Sequence, residues 1–183
     1  MKMQYIRYKT ILADPPWWET GGGKICRGAQ KHYDLMKTPD IINTMKNVLA
    51  GRIDDKAHLY LWVTNSHFQD GFRVIEALGF RYITCITWTK NRMGIGQYFR
   101  GLTEHCLFSV KGNLPYKYLP NGKRAQGVTG FYANKTIHSE KPEIIYEMIE
   151  KVSYYPYLEL FARKERSNWD SWGREINAGE NND

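Results

Sequence analysis

Apolar residues in this chain fall either into short dense runs or into stretches where they recur at helical spacing, and the two kinds alternate. Ile11-Leu12-Ala13 is a dense run, the mark of a strand buried on both faces. Thr38-Pro39-Asp40 starts a helix with a cap and a proline at the first position; Ile41, Ile42, Met45, Val48 and Leu49 share its inner face and Gly51 closes it. His58 to Thr64 reads as a buried strand ending at Asn65-Ser66. Ser66 then caps a second helix with Phe68, Phe72, Ile75 and Leu78 inward and Gly79 as its stop. Phe80 to Lys90 and Glu104 to Val110 return as strands, followed by a turn at Lys111-Gly112-Asn113. Pro142 to Val152 is helical, with Ile145, Met148, Ile149 and Val152 on one side. Tyr157 to Phe161 reads as the last buried strand, and Arg163 to Glu175 as a polar, Trp-containing tail.

Strands alternating with helices imply a largely parallel sheet covered on both faces, the doubly wound α/β class. With 183 residues and 42% hydrophobic content, one compact domain over residues 1–183 is the expectation. Three long connections break the alternation. Trp18 to Lys37 holds Gly21, Gly22, Gly23 and Gly28 among Lys24, Arg27 and Lys31; it is too long and too Gly-rich for an ordinary connection and reads as a mobile active-site loop, without the spacing of a Walker phosphate cradle. Asn91 to Thr103 and Leu114 to Ile137 are also basic and aromatic, the latter carrying Tyr116, Tyr118, Lys123 and Arg124.

Charge and cysteines narrow the class. A formal net charge of +7 is compatible with a polyanionic partner. Cys26, Cys85 and Cys106 form no C-x-x-C pair, so neither a disulfide framework nor a zinc site is indicated. The amino terminus lacks the apolar core of a signal peptide and no apolar run is long enough to span a bilayer, so the expectation is a soluble cytoplasmic protein.

The chemistry centres on Asp14-Pro15-Pro16-Trp17. Two prolines after the first strand can neither donate to a ladder nor continue a helix, which forces a rigid elbow at the strand's carboxyl end, where open α/β sheets bind ligands. Asp14 and the Pro15 carbonyl are acceptors, and Trp17 offers a flat face. That set suits a planar ring bearing an exocyclic amine.

The elbow resembles the D-P-P-W signature of amino-methyltransferases. Leu61-Trp62-Val63-Thr64, Thr87-Trp88-Thr89-Lys90, Glu104-His105-Cys106-Leu107 with Val110-Lys111-Gly112, Ser139-Glu140-Lys141-Pro142, Glu159-Leu160-Phe161-Ala162-Arg163 and Asn168-Trp169 fall in the order found in the MT-A70 family. The resemblance runs from about Ile11 to Glu175. It implies a Rossmann-like methyltransferase fold with permuted motif order, S-adenosylmethionine as cofactor, no metal, and methylation of the adenine N6 amine in nucleic acid.

Residue by residue, the resemblance gives Asp14, Pro15, Pro16 and Trp17 the catalytic elbow, with Trp17 stacking on the base. The cofactor set is Ala13, Asp14, Ser139, Lys141, Phe161, Ala162, Arg163, Asn168, Trp169 and Glu175; Lys141, at a helix start, meets the cofactor carboxylate. The substrate set is Trp17, Tyr33, Asn65, Glu104, Lys123 and Arg124. Where family members carry an acid upstream of the elbow, this chain has Tyr5-Ile6-Arg7-Tyr8. His105 and His138 read as hydrogen-bonded structural histidines, because no metal-ligand spacing accompanies them. A compact catalytic domain points to DNA more than RNA, with assembly into homo-oligomers open. Two alternatives stay open beside adenine-N6 transfer: cytosine-N4 methylation, which the same elbow serves, and a non-catalytic nucleic-acid-binding subunit.

Overall fold

A computed structural model describes residues 6–18, 35–94, 98–135 and 140–173 of the protein. Within them a seven-stranded sheet has the order β5-β3-β4-β2-β1-β6-β7. The elements are β1 (Tyr8–Ala13), α1 (Thr38–Leu49), β2 (Ile53–Val63), α2 (Phe68–Ala77), β3 (Arg81–Thr89), β4 (Thr103–Lys111), β5 (Gly130–Tyr132), α3 (Ile144–Val152), β6 (Tyr157–Leu160) and β7 (Trp169–Trp172). The fold is α/β and Rossmann-like. Its sheet is more mixed than the alternation suggests: β1 runs parallel to β2 and β6, β6 to β7 and β3 to β5, but β4 is antiparallel to both β2 and β3.

Two cores cover the two faces, and alternate residues of β1 feed them in turn. Ile11 and Ala13 join Ile41, Met45, Leu49, Val74, Ile75 and Leu78 of the α1 and α2 layer. Leu12 faces the other way, with Tyr60, Trp62, Trp88 and the Ile145, Tyr146 and Ile149 stripe of α3. The strand is therefore apolar at every position from Ile11 to Ala13, as a sheet covered on both sides requires.

Several boundaries differ from the sequence reading. The cap position of α1 is Lys37, with no side-chain bond, and Thr38 is already helical. Ser66 does not cap α2 either; His67 holds that position. Phe72 is 40% exposed rather than inward. The buried stripe of α2 is Gly71, Val74, Ile75 and Leu78, regular i, i+3, i+4, i+7 spacing that starts on a residue with no side chain to announce it. A Cβ at Gly71 would lie 2.7 Å from both Leu107 and Val63, so the missing side chain is what lets the helix settle on the sheet. β2 begins at Ile53, before the expected His58. β6 is not the last strand: Trp169–Trp172, read as tail, pairs with it as β7. β5, three residues long and starting on Gly130, lies within the long Leu114 to Ile137 connection, where so short a strand leaves no alternating pattern. No helix among the described residues is long and apolar enough to cross a membrane.

His58 links β2 to the end of α3. Its Nδ1 lies 2.8 Å from Ser153 Oγ, which also contacts Tyr60 Oη at 2.8 Å. Burial pushes the imidazole down to about 4. The folded state therefore holds His58 neutral while the unfolded chain titrates near the ordinary value, so its contribution is whole above pH ~6.5 and is lost as pH falls towards ~4, on the order of 3 kcal/mol at the limit. Urea unfolding at neutral and acid pH should show wild type losing more stability on acidification than His58→Asn; parallel losses would remove His58 from the acid response.

Candidate active site

The elbow lies where β1 ends between β2 and β6. Ala13, fully buried, pairs with Leu61 on one side and Leu160 on the other, and the Asp14 amide points to the Leu160 carbonyl. Because α1 and α2 cover one face while α3, which leads into β6, covers the other, the chain's connections part between β1 and β6. That is the crevice in which sheets of this class bind ligands.

The elbow is fastened from three directions. Trp17 N–H donates to the Pro15 carbonyl at 2.9 Å, Met36 N–H to the Pro16 carbonyl at 2.7 Å, and Trp18 N–H to the Met36 carbonyl at 3.0 Å. The indole of Trp17 is 5% exposed, donates to the Trp62 carbonyl at 2.9 Å and stacks on His67 with ring centres 5.3 Å apart. His67 Nε2 in turn donates to the Trp18 carbonyl, with Nδ1 2.7 Å from Thr64 Oγ1. Trp17 is thus an anchor of the elbow: the ring expected to stack on a base is packed against His67 and is 5% exposed.

At the same end lies a row of alternating charges that is largely buried, with Asp14 and Glu104 each keeping 21% of their side chains exposed. Lys141 Nζ lies 2.6 Å from Asp14 Oδ2 and 3.3 Å from Glu104 Oε2, and Lys90 Nζ lies 3.0 Å from Glu104 Oε1. Each ammonium also sits near an indole, Lys141 at 5.2 Å from the Trp62 ring centre and Lys90 at 5.7 Å from that of Trp88. Burial would lower Lys141, but Asp14 and Glu104 outweigh it and hold the ammonium charged. Burial would likewise raise Glu104, yet Lys141 and then Lys90 keep its carboxyl below the ordinary range. Lys141, expected to meet the cofactor carboxylate, here contacts two carboxylates of the chain itself.

Asn65 stands at the rim just beyond β2, its Oδ1 accepting from His105 Nε2 at 2.8 Å. The other His105 nitrogen lies 3.1 Å from Thr87 Oγ1, so this histidine is held structurally. On the β6 side, Phe161 takes a left-handed φ of 61° directly after the strand, and Ala162 is buried with its N–H donating to the Trp172 carbonyl. A Cβ on Gly173 would lie 2.0 Å from the Ala162 carbonyl oxygen, so the two chain exits touch backbone to backbone. Arg163 follows and lowers Lys141 through its charge, which places it near the row.

Other expected site residues lie elsewhere. Trp169 pairs with Tyr157, at the amino end of β6, stacks on its ring and donates to Glu150 of α3. Asn168, at φ 66°, turns the chain into β7 at that end. Both, expected to meet the cofactor, are separated from Asp14 by the length of β6; Trp172 and Gly173, at the other end of β7, are the residues beside Phe161 and Ala162. Lys123 and Arg124 sit in a hairpin against the carboxyl end of α3, away from the elbow. Tyr33, Ser139, Glu175 and His138 lie outside the described residues. Two residues absent from the expected set belong here: Lys90, and Glu159 of β6, whose carboxyl is raised by burial and accepts from Tyr146 Oη at 2.9 Å. A buried lysine after a strand carries no sequence mark of burial.

Lys141→Ala would leave Asp14 and Glu104 without the cation between them. Removing one partner from a buried ion set typically costs about 3–5 kcal/mol, so chemical denaturation should show a loss of that order, smaller for Lys141→Arg. A loss below about 1 kcal/mol, the range of exposed pairs, would show that solvent already screens the row.

Comparison with known proteins identifies the family. Type II methyltransferase M.MunI of Mycoplasma sp is 30% identical over 190 residues, covering 93% of this chain and 78% of that protein. The N(6)-adenosine-methyltransferase catalytic subunit METTL3 of Homo sapiens is 27% identical over 182 residues, again 93% of this chain but 28% of the relative. A probable N(6)-adenosine-methyltransferase MT-A70-like of Oryza sativa subsp. japonica is 27% identical, with 23% of its length covered. The chain thus spans about a quarter of these longer relatives. The MT-A70 family model matches residues 8–175, from the first residue of β1 past the last of β7, and the chain belongs to that family of methyltransferases.

Proposed function

We propose that the protein transfers a methyl group from S-adenosylmethionine to the N6 amine of adenine in DNA, acting in the cytoplasm. The observation that carries this reading is the Asp14 carboxylate at the end of β1, held by the Lys141 ammonium 2.6 Å away. Lys141 contacts Oδ2, which leaves the lone pairs of Oδ1 for an amine hydrogen; the Pro15 carbonyl, fixed by the elbow, is the second acceptor.

The chain's donors and acceptors fit the cofactor. A sulfonium is a cation and favours an end of the sheet carrying Asp14, Glu104 and Glu159, while the cofactor's own carboxylate favours the Lys141 and Arg163 side. The indole N–H of Trp62, beside Lys141, is buried without a hydrogen-bond partner among the described residues. The touching exits of β6 and β7 bring backbone, not side chain, to the crevice. When bound, S-adenosylmethionine supplies an electrophilic methyl group, so the protein's task is alignment and exclusion of water. Asp14 and the Pro15 carbonyl orient the amine, and the Asp14 charge favours the positive charge that develops on nitrogen. Lys141 is the residue that keeps Asp14 in position.

A nucleic-acid substrate is supported by exposed aromatic and basic groups on the β3–β4 connection, where Tyr98 is 94% and Phe99 93% exposed. The preference for DNA leans on the alignment with M.MunI, a Type II methyltransferase, over most of its length. Flipping a base from a duplex costs a few kcal/mol, so unpaired or mismatched adenine should be methylated faster.

Asp14→Ala and Asp14→Asn should each lose methyl transfer by about a hundredfold or more, the usual cost of removing one transition-state contact, while nucleic-acid affinity survives. Activity within a few fold of wild type would remove Asp14 from the reaction. For the polymer, matched single-stranded DNA, duplex DNA and RNA oligonucleotides with labelled cofactor should rank the single-stranded DNA first; transfer to RNA alone would overturn the DNA reading.

A further inference from the structure

A second concave feature lies at the opposite end of α3 from Lys141. Residues 116–126 form a small hairpin, in which Tyr118 bridges Arg124, Ala125 N–H donates to the Lys117 carbonyl and Leu119 N–H to the Lys123 carbonyl, both at 2.8 Å. The hairpin is locked to the helix end: Lys117 Nζ donates to the Glu150 and Ser153 carbonyls, and Tyr154 Oη to the Tyr116 carbonyl at 3.1 Å. Between the hairpin and the helix is an open depression of about 630 Å³, lined by Leu119, Lys123, Arg124, Gln126 and Lys151. Three of these five side chains are cations and none is a carboxylate.

Lys117 already answers the negative carbonyl end of α3. Lys123, Arg124 and Lys151 are therefore additional to what the helix terminus needs, and gathering like charges around one hollow costs energy unless an anion neutralises them. The Arg124 guanidinium lies 3.7 Å from the Tyr116 ring centre, and Tyr116 and Tyr118 are 60% and 62% exposed. Cations interleaved with rings on an open surface suit a nucleic-acid strand, with phosphates on the charges and bases on the rings, more than a small anion.

We propose that the 116–126 hairpin and Lys151 form a second strand-holding site for the nucleic acid whose target adenine is read at Asp14. This rests on the reading of the substrate as nucleic acid. The nine residues of α3 set the two sites apart by about 14 Å along the helix, roughly four base steps of a stacked strand. The hairpin thus touches polymer beyond the nucleotides next to the target and contributes to affinity only when the polymer is long enough.

The test is equilibrium binding of two single-stranded DNAs to the whole protein, a trinucleotide centred on adenine and a strand of about 15 nucleotides, the upper range of such sites. Wild type should bind the longer strand more tightly. Lys123→Glu with Arg124→Glu should lose about tenfold or more of that gain and keep the trinucleotide affinity. Lys123→Gln with Arg124→Gln should lose part of it and lower the salt slope by about 1.4, roughly 0.7 for each cation that no longer neutralises a phosphate of a single strand. The glutamine pair answers the question if the glutamate pair fails to fold. Equal losses on both lengths, or none on either, would overturn the second site. Wild-type protein that binds neither strand would overturn the nucleic-acid reading itself, a different failure.

Discussion

A buried ammonium between two carboxylates holds this structure's working end together. Lys141 reaches it from the segment before α3, Asp14 from the end of β1 and Glu104 from the start of β4, with Lys90 behind Glu104 at the end of β3. Four separate parts of the fold therefore meet at one row of alternating charge. Such a row is costly to desolvate, and its attraction repays the cost only where every charge has a neighbour of opposite sign. Here each ammonium has at least one carboxylate within 3.0 Å and an indole nearby. The same pairing that makes burial tolerable keeps Glu104 ionised and fixes the direction in which Asp14 presents its remaining lone pairs.

The reversed β4 is what lets Glu104 take part. In a wholly parallel sheet the first residues of a strand lie at the end opposite the ligand crevice. β4 runs against β2 and β3, so Glu104 pairs across from Trp88 and His105 from Val63, at the carboxyl ends of those strands. The elbow has a comparable logic: prolines stop the strand, and Trp17, clamped by His67 and the Trp62 carbonyl, stops the elbow from moving. Rigidity is built from the side of the helices α1 and α2, and charge from the side of α3.

How much of this was legible in the sequence depends on whether a residue's environment is local. The strand before the elbow, the two prolines and the α3 stripe are local patterns and stand as read, apart from Met148 and Val152, which are only partly buried. α2 was rotated because its buried stripe begins at Gly71, and hydrophobic spacing cannot count a side chain that is absent. The short strands β5 and β7 owe their existence to neighbours β3 and β6, and four residues such as Trp-Asp-Ser-Trp carry too little pattern to say so. Motif order singled out Asp14, Glu104 and Lys141 as site residues in separate roles, but not the contacts among them. It also drew in Asn168 and Trp169, which β7 carries to the far end, and missed Lys90, whose burial depends on the Trp88 and Glu104 partners the fold supplies.

Asp14 is held as described only if the charge row stays buried and paired in solution, and the carboxyl of Glu104 reports that state directly. With carbon-13 in the glutamate side-chain carboxyls, the Glu104 resonance can be assigned by its loss in Glu104→Gln and followed through an acid titration. The row predicts a midpoint below the ordinary glutamate value of about 4.3, moving upward in Lys141→Met as burial loses its compensating charge. A midpoint at or above the ordinary value in the intact protein, unmoved by Lys141→Met, would contradict it.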